Sequence, residues 1–309
     1  MTLLSIFVVV IAILLSLLIL IIGSVVDIIR ANAPDIPDEP NNDKKPPISS
    51  DGVQYTQITK AKNDIRSGEL ILVNADHAYV FPTTTNHLIN IYDNRTKING
   101  SNPYQINTQF AIYLHKDAFS HMEDMMKKYY EISDGDGSVL IKYSYRSKED
   151  QEKLTTSPIK PGYSDHHTGY CVALHQGNAS NFPALNTDHW IYQNSYKYGF
   201  IVRYPESKSE QTGVSSYEHC FRYVGVAHAT YISQHNSCLE EYVDLLKNNY
   251  TSSHLAIKGA DGNNYEVYYV PAGSGDITTI SVPSNYEYTV SGDNVGGFIV
   301  TVHLSEPKA

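Results

Sequence analysis

The longest hydrophobic stretch opens the chain: residues 3–26 carry no charge and are interrupted only by Ser and Gly. As an α-helix this stretch would span roughly 36 Å, which is enough to cross a bilayer. It is longer than the apolar part of a typical signal peptide, and no basic residue precedes it. The pattern predicts a retained single transmembrane helix over residues 1–28, with a cleaved signal peptide as the alternative.

A polar, proline-rich segment follows this stretch. Residues 31–51 contain five prolines among Asn, Asp and Lys, a composition that cannot build a core and behaves as a semi-extended tether. We therefore predict a flexible linker over residues 29–52. The folded part begins after it, with a main domain over residues 53–250.

Helical periodicity marks three segments of the main domain. In the first, Met122 and Met126 share one apolar face behind Asp117 as N-cap, and the two Met side chains are interpreted as core filler. The second is closed by Gly199, which suits a helix C-cap. The helices are predicted over residues 117–130, 188–198 and 238–249.

Short β-branched and aromatic runs predict the strands. Those of the main domain are expected at residues 69–74, 139–144 and 200–204. From residue 251 onward, strands alternate with Gly, Pro, Asn and Asp turns, at residues 265–270, 278–282, 286–290 and 298–302. The expected fold class is α+β, a mixed or antiparallel sheet flanked by helices. A small β-rich appendage over residues 251–309 should pack on the main domain.

Composition narrows the possible partners. The formal charge is -10, with 23 Lys and Arg against 33 Asp and Glu, so the chain lacks the basic surface that nucleic-acid binding needs. Three cysteines are an odd and sparse set, which argues against a disulfide framework.

Two stretches hold most of the side chains able to bind a metal or act as nucleophiles. They are residues 161–174 (PGYSDHHTGYCVAL) and 217–225 (YEHCFRYVG), which we expect to meet in one cleft. Arg146 lies where a predicted strand gives way to a helix with Ser147 as N-cap, a usual place for a residue that faces a ligand.

Four motifs, in order and spacing, resemble the D-alanyl-D-alanine carboxypeptidase family of VanY type (zinc peptidase family M15B). They are YSYRS at 143–147 with Gln151, PGYSDHHTG at 161–169, YGFIVRYP at 198–205 and CFRYVG at 220–225. The resemblance covers about residues 60 to 250. It implies an α+β zinc peptidase of the bacterial cell surface that removes the terminal D-alanine from peptidoglycan stem peptides. The expected localisation is then the cell membrane, with the folded part on the extracytoplasmic side and the stem peptide as partner.

Several family site residues are substituted. The family's first motif, Ser-x-His-x-x-Gly-x-Ala-x-Asp, keeps Ser164 and His166, but its metal-binding Asp falls on Ala173. In the second motif, the metal-binding His falls on Cys220 and the Glu base falls on Tyr217. A catalytic zinc needs three protein ligands, and loss of the base alone lowers the rate by about 10²- to 10⁴-fold. The resemblance therefore implies a metal site that lacks one of its three protein ligands and also lacks the general base.

If the protein is active and binds zinc, nearby residues could replace the missing ligand and the missing base in two ways. His175 lies two residues past the Asp position on the same strand face, and could be the third ligand if the metal moved. Glu218 and His219 could replace the missing Glu and His if the strand carried a bulge. A cysteine-nucleophile site is less favoured, because no orienting third residue accompanies the thiols.

The side of the cleft that holds the peptide is retained. By the resemblance it comprises Arg146, Ser147, Gln151 and Ser164, and a guanidinium there can form a bidentate pair with a carboxylate. Two hypotheses follow. The first is a cell-surface protein that recognises stem peptides or a cell-wall partner through Arg146 and its neighbours, does not cut them and holds no metal. The second is a zinc carboxypeptidase with a remodelled site.

Overall fold

The computed structural model describes residues 52–155, 157, 159–177, 183–215, 217 and 219–307. The predicted transmembrane helix and residues 29–51 of the predicted linker lie outside this set, as does Glu218. No helix in the described part of the chain combines the length and the apolar character needed to cross a membrane.

Thirteen β-strands are found among the described residues. They are β1 (Tyr55–Ala61), β2 (Leu88–Asn90), β3 (Gln105–Ile106), β4 (Tyr113–His115), β5 (Val139–Tyr143), β6 (Cys171–Gln176), β7 (Phe200–Val202), β8 (Cys220–Tyr223), β9 (Leu255–Lys258), β10 (Asn264–Pro271), β11 (Ile277–Pro283), β12 (Tyr286–Gly292) and β13 (Gly297–Pro307).

Seven α-helices lie in the same part of the chain. They are α1 (Ile91–Asn94), α2 (Lys116–Ile132), α3 (Lys148–Glu152), α4 (Trp190–Asn194), α5 (Ser209–Thr212), α6 (Val226–Gln234) and α7 (Leu239–Asn249). Short 3-10 helices are formed by Lys62–Arg66, Asp165–Thr168, Ser195–Tyr198 and Glu206–Lys208.

The main sheet has five strands in the order β3-β5-β6-β8-β7. The β3–β5 pair is parallel and the other three pairs are antiparallel. One face of the sheet carries Val172 and Phe221 into a core that includes Met122 and Met126 of α2. A mixed sheet packed against helices confirms the predicted α+β class, and both Met side chains are fully buried as core residues.

Helix α2 begins one residue earlier than expected. The N-cap is His115, whose Nδ1 accepts the backbone N–H of Asp117, so the prediction of Asp117 as N-cap was wrong. Asp117 instead occupies the first turn, where its charge suits the positive end of the helix dipole. The second predicted helix forms as α4 and the following 3-10 turn, and it ends at Gly199 in the left-handed region with φ +80°.

The strand predicted at residues 69–74 is absent, and this segment is irregular although its apolar residues are buried. Its backbone groups find partners other than a neighbouring strand. The carbonyl of Glu69 accepts from the Arg222 guanidinium at 2.8 Å, and Leu72 N–H donates to the Asp293 carbonyl at 2.9 Å. A buried apolar run can therefore stay irregular where side chains and loops satisfy its backbone groups.

The four predicted C-terminal strands form as β10, β11, β12 and β13, and the additional strand β9 was not predicted. Strands β10, β12 and β13 join β9 in a four-stranded antiparallel sheet in the order β12-β13-β10-β9, and β11 lies outside this sheet. Leu239 and Val243 of α7 share a core with Val267 and Ile299 of this sheet. At the other end of the described chain, β1 pairs with β11. The described residues between 52 and 307 belong to one compact unit.

Candidate functional site

The register of β6 and β8 brings the two chemical stretches together. Ala173 pairs directly with Cys220, and Cys171 pairs with Arg222. Because side chains alternate along a strand, these four share the sheet face opposite the Met-rich core. Ala173 and both thiols are fully buried. The family's Asp and second His positions are thus a directly facing cross-strand pair in this fold.

His166 reaches this pair from the 3-10 helix Asp165–Thr168, which ends at Gly169 with φ +76°. Its Nδ1–H donates to the Ser144 carbonyl at 2.9 Å. Nε2 is thereby left as the nitrogen with a lone pair, and it lies 4.0 Å from Cys220 Sγ. His166 and Cys220 were predicted to belong to one site, and the structure places them in contact.

The two buried thiols differ in acidity. Interaction with the Cys171 thiol lowers the pKa of Cys220 to about 6 against the opposing effect of burial. Burial raises the pKa of Cys171 well above its usual value. Both thiols lie in a small buried cluster with Tyr204.

Tyr217 occupies the position of the family's Glu base and does not have the chemistry of a base. Its ring centroid lies 6.4 Å from that of His166 and 3.9 Å from that of His219. Burial raises its pKa to about 12, so the phenol is uncharged at neutral pH. A neutral phenol does not abstract a proton from water as a carboxylate does.

His175 and His219, the two histidines considered as substitute metal ligands, contact each other. The ring centroids of His175 and His219 are 4.5 Å apart. No bulge interrupts the β6–β8 pairing; instead, a turn in which Cys220 N–H donates to the Tyr217 carbonyl brings His219 beside His175. Burial lowers the pKa of His219 to about 4, so its ring is neutral.

Arg146 lies between β5 and α3, as the sequence predicted. Its Nη1 donates to Gln151 Oε1 at 2.8 Å, and buried Gln151 donates in turn to the Ile159 carbonyl at 2.9 Å. Ser147 caps α3: its hydroxyl accepts the Asp150 N–H at 3.1 Å. Gln151 and Ser147 thus fix the loop around Arg146. Ser164, the fourth residue predicted for this wall, is 2% exposed.

The sequence did not predict the contacts of His167. Its Nε2 accepts the Gly162 N–H at 3.0 Å and its Nδ1–H donates to the Arg146 carbonyl at 2.6 Å. The rings of Tyr79 and Phe81 pack against it, with centroids 6.3 and 4.8 Å away. His167 therefore holds the loop at Arg146 through the backbone carbonyl of that residue.

A family model described as "VanY: D-alanyl-D-alanine carboxypeptidase" matches residues 111–226. A D-alanyl-D-alanine carboxypeptidase of Enterococcus faecium is 31% identical over 260 residues, which cover 82% of this chain and 80% of that protein. The chain belongs to the VanY-type carboxypeptidase family.

Two further similarities agree with this membership. A D-alanyl-D-alanine carboxypeptidase of Enterococcus faecalis is 36% identical over 123 residues, 39% of this chain and 45% of that protein. The crystal structure of the vancomycin-resistance D,D-dipeptidase VanXYg, in complex with a D-Ala-D-Ala phosphinate analogue, superposes with a TM-score of 0.65 at 26% identity. The superposition covers 81% of this chain and 99% of the VanXYg chain.

In this VanY-type chain the donor set does not fit a catalytic zinc. His166 and Cys220 are suitable ligands, and two ligands of one tetrahedral zinc lie about 3.5 Å apart, close to the 4.0 Å observed. The side chain at the third ligand position, Ala173, is a methyl group that offers no electron pair. Among the described residues, no three His, Cys, Asp or Glu side chains group so as to hold a metal ion.

A buried charge network, which sequence analysis missed, supports this VanY-type site. The Asp165 carboxylate accepts from Arg203 Nε at 2.5 Å and also from Arg222, and Arg203 donates to Glu240 at 2.6 and 2.9 Å. Both Arg side chains are 0% exposed and that of Asp165 is 1% exposed. Because Asp165 precedes His166, the network fixes the turn that carries the histidine.

Proposed function

We propose that this protein recognises peptidoglycan stem peptides through the Arg146 side of the cleft and does not hydrolyse them with zinc. The observation that carries this proposal is the pairing of Ala173 with Cys220. It puts a methyl group where a third ligand would have to reach the metal.

The neighbouring substitution supports the same conclusion. Tyr217 is half-buried against His219, and its pKa of about 12 keeps the phenol protonated. A site that lacks both a third ligand and a carboxylate base loses the activated water on which zinc peptidases depend. The residues that remain can bind and orient a peptide but cannot supply that nucleophile.

The wall assigned to the peptide is built for binding. Gln151 and His167 hold Arg146 by its side chain and its carbonyl respectively, and Gln151 uses only Nη1 among the five N–H donors of a guanidinium. A guanidinium held in this way loses little rotational freedom when it binds a carboxylate. The C-terminal carboxylate of a stem peptide is the group that we assign to it.

A second function is favoured by one observation. His166 Nε2 and Cys220 Sγ are close enough to bind the same ion, so a zinc carboxypeptidase with a remodelled site is the alternative. Its third ligand would have to be His175 or His219, and the ring of Tyr217 contacts His219. Glu218, the other replacement considered for the base, lies outside the described residues.

The cellular setting is part of the proposal. Residues 1–28 would anchor the chain in the cell membrane and residues 29–52 would tether the folded part on the extracytoplasmic side. Peptidoglycan lies on that side of the membrane in bacteria, which is where a stem-peptide binder would meet its ligand.

Isothermal titration with a stem pentapeptide ending in D-Ala-D-Ala tests the binding function. We expect saturable binding by the chelator-treated protein and at least about tenfold weaker binding by Arg146→Ala, the loss of one charge-assisted pair. Lys148→Ala is the matched control, because Lys148 is a nearby exposed cation whose side chain is 55% accessible. Equal binding by wild type and Arg146→Ala, or no binding by the folded wild type, would overturn the proposal.

A further inference from the structure

The site face of the main sheet continues past the Ala173–Cys220 pair onto β5. Tyr143 pairs directly with Ala173 across β5 and β6, so the side chains of Tyr143, Ala173 and Cys220 lie in a row across the sheet. Lys142 directly precedes Tyr143, at a shift in the register between Ile141 and Tyr143. This end of the row therefore carries a lysine that the function proposed above does not use.

Lys142 lies at the edge of a partly exposed aromatic surface. Its Nζ is 5.6 Å from the centroid of the Tyr143 ring. The ring of Phe110, which is 46% exposed, stacks on that of Tyr143 with a centroid distance of 5.9 Å and an interplanar angle of 10°. Asn107 fixes this segment to β5, because its Nδ2 donates to the Lys142 carbonyl at 3.4 Å. The two rings and the lysine thus form an apolar surface that ends in a positive charge.

The ammonium group of Lys142 is available to a ligand. None of the ion pairs formed among the described residues involves this half-buried side chain. Burial lowers the pKa of nearby His219 to about 4, an effect to which the charge of Lys142 adds, so the imidazole beside the ammonium is neutral. A cation in these surroundings gains most from a ligand that brings a carboxylate.

The separation of Arg146 from Lys142 suits the last three residues of a peptide. Arg146 follows Tyr143 by three residues, so their Cα atoms lie at most about 11 Å apart. Three residues of an extended peptide span about the same length. A stem pentapeptide that has its terminal carboxylate on Arg146 and passes His166 and Cys220 therefore brings its third residue to Tyr143 and Lys142.

We propose that Lys142 binds a second carboxylate of the stem peptide, on the side chain of its third residue. The proposal rests on the proposed function, since it concerns the same peptide in the same cleft. Stem peptides carry lysine or diaminopimelate at this position, and the two differ by one carboxyl group at the end of the side chain. The aliphatic part common to both fits the rings of Tyr143 and Phe110, whereas only diaminopimelate brings a carboxylate to Lys142. The cleft would thus prefer diaminopimelate-type peptides.

Isothermal titration with three pentapeptides tests this proposal. The first has lysine as its third residue and D-isoglutamine as its second, so the terminal carboxylate is its only one. The second peptide has diaminopimelate in place of the lysine, and the third has D-glutamate in place of the D-isoglutamine. We expect the second to bind about fivefold more tightly than the first. Lys142→Met should remove this difference, Lys142→Arg should retain it and Lys142→Glu should reverse it.

Lys128→Met is the matched control, because Lys128 is a lysine of α2 whose side chain is 51% exposed; it should leave the difference unchanged. Equal affinities of the wild type for all three peptides, or a difference that survives in Lys142→Met, would overturn the inference and leave stem-peptide binding standing. Tighter binding of the third peptide alone would overturn the assignment to the third residue.

The same titrations separate this inference from the proposed function. If Arg146→Ala binds the peptides as the wild type does, and the preference for diaminopimelate is lost only in Lys142→Met, the role of Lys142 is supported and that of Arg146 fails. Absence of binding of all three peptides to the folded wild type would overturn both.

Discussion

Replacing Asp165 by Asn should lower the free energy of unfolding by about 3–5 kcal/mol, the usual cost of removing one partner from a buried ion pair. The carboxylate receives hydrogen bonds from Arg203 and Arg222, whose side chains are 0% exposed. In Asp165→Asn, Glu240 would be the one carboxylate of this network left beside two buried guanidiniums. The neutral amide cannot repay the desolvation of those charges.

The size of this effect depends on burial rather than on the number of ion pairs. Glu152→Gln is the matched control: it also converts an acid to its amide, but its pair with Lys148 is 4.0 Å long, with both side chains 55% exposed. We expect it to cost at most ~0.5 kcal/mol. Urea unfolding followed by circular dichroism measures both values. A loss below about 1 kcal/mol in Asp165→Asn would refute the argument.

Two further predictions concern stability. His228 forms hydrogen bonds with Tyr242 and Thr301, and burial lowers its pKa from 6.5 to about 3. As the pH falls, the unfolded chain therefore binds a proton at this residue before the folded chain does. The free energy of unfolding should consequently fall by about 1.4 kcal/mol per pH unit as the pH drops from 6.5 towards 3. His228→Phe should flatten this part of a pH–stability profile from urea unfolding, and an unchanged slope would contradict the assignment. Met122→Ala, at a fully buried position, should cost about 2–5 kcal/mol in the same assay, whereas Ile132→Ala, at a residue that is 46% exposed, should cost far less; equal losses would contradict the core assignment.

Local patterns predicted much of the fold. The apolar face of α2, the glycine at the end of the second helix and the alternating C-terminal strands each depend on neighbours in sequence, and all three were confirmed. The segment at residues 69–74 shows the limit of such patterns. Its apolar run reads as a strand, but its backbone is satisfied by Arg222, which lies 153 residues from the accepting carbonyl. A local sequence pattern cannot indicate a hydrogen-bond partner so far away in the sequence.

Part of the candidate site was predictable, because the spacing of the motifs determines which of their residues face each other on neighbouring strands. The position of Ala173 opposite Cys220 follows once the two motifs are laid on neighbouring strands, and the His166–Cys220 contact agrees with that alignment. The supporting residues were not predictable in the same way. Arg203 meets Asp165 across 38 residues, and Tyr79 reaches His167 from an irregular segment, so neither contact has a periodic signature.

Release of D-alanine from the stem pentapeptide is the measurement that tests the central claim most directly. The purified chain would be assayed with added zinc and, in parallel, after chelator treatment, with peptide binding measured on the same sample. The account predicts peptide binding in both samples and release of D-alanine in neither. Zinc-dependent release that disappears with chelator and in His166→Ala would contradict it and would establish a rebuilt zinc site.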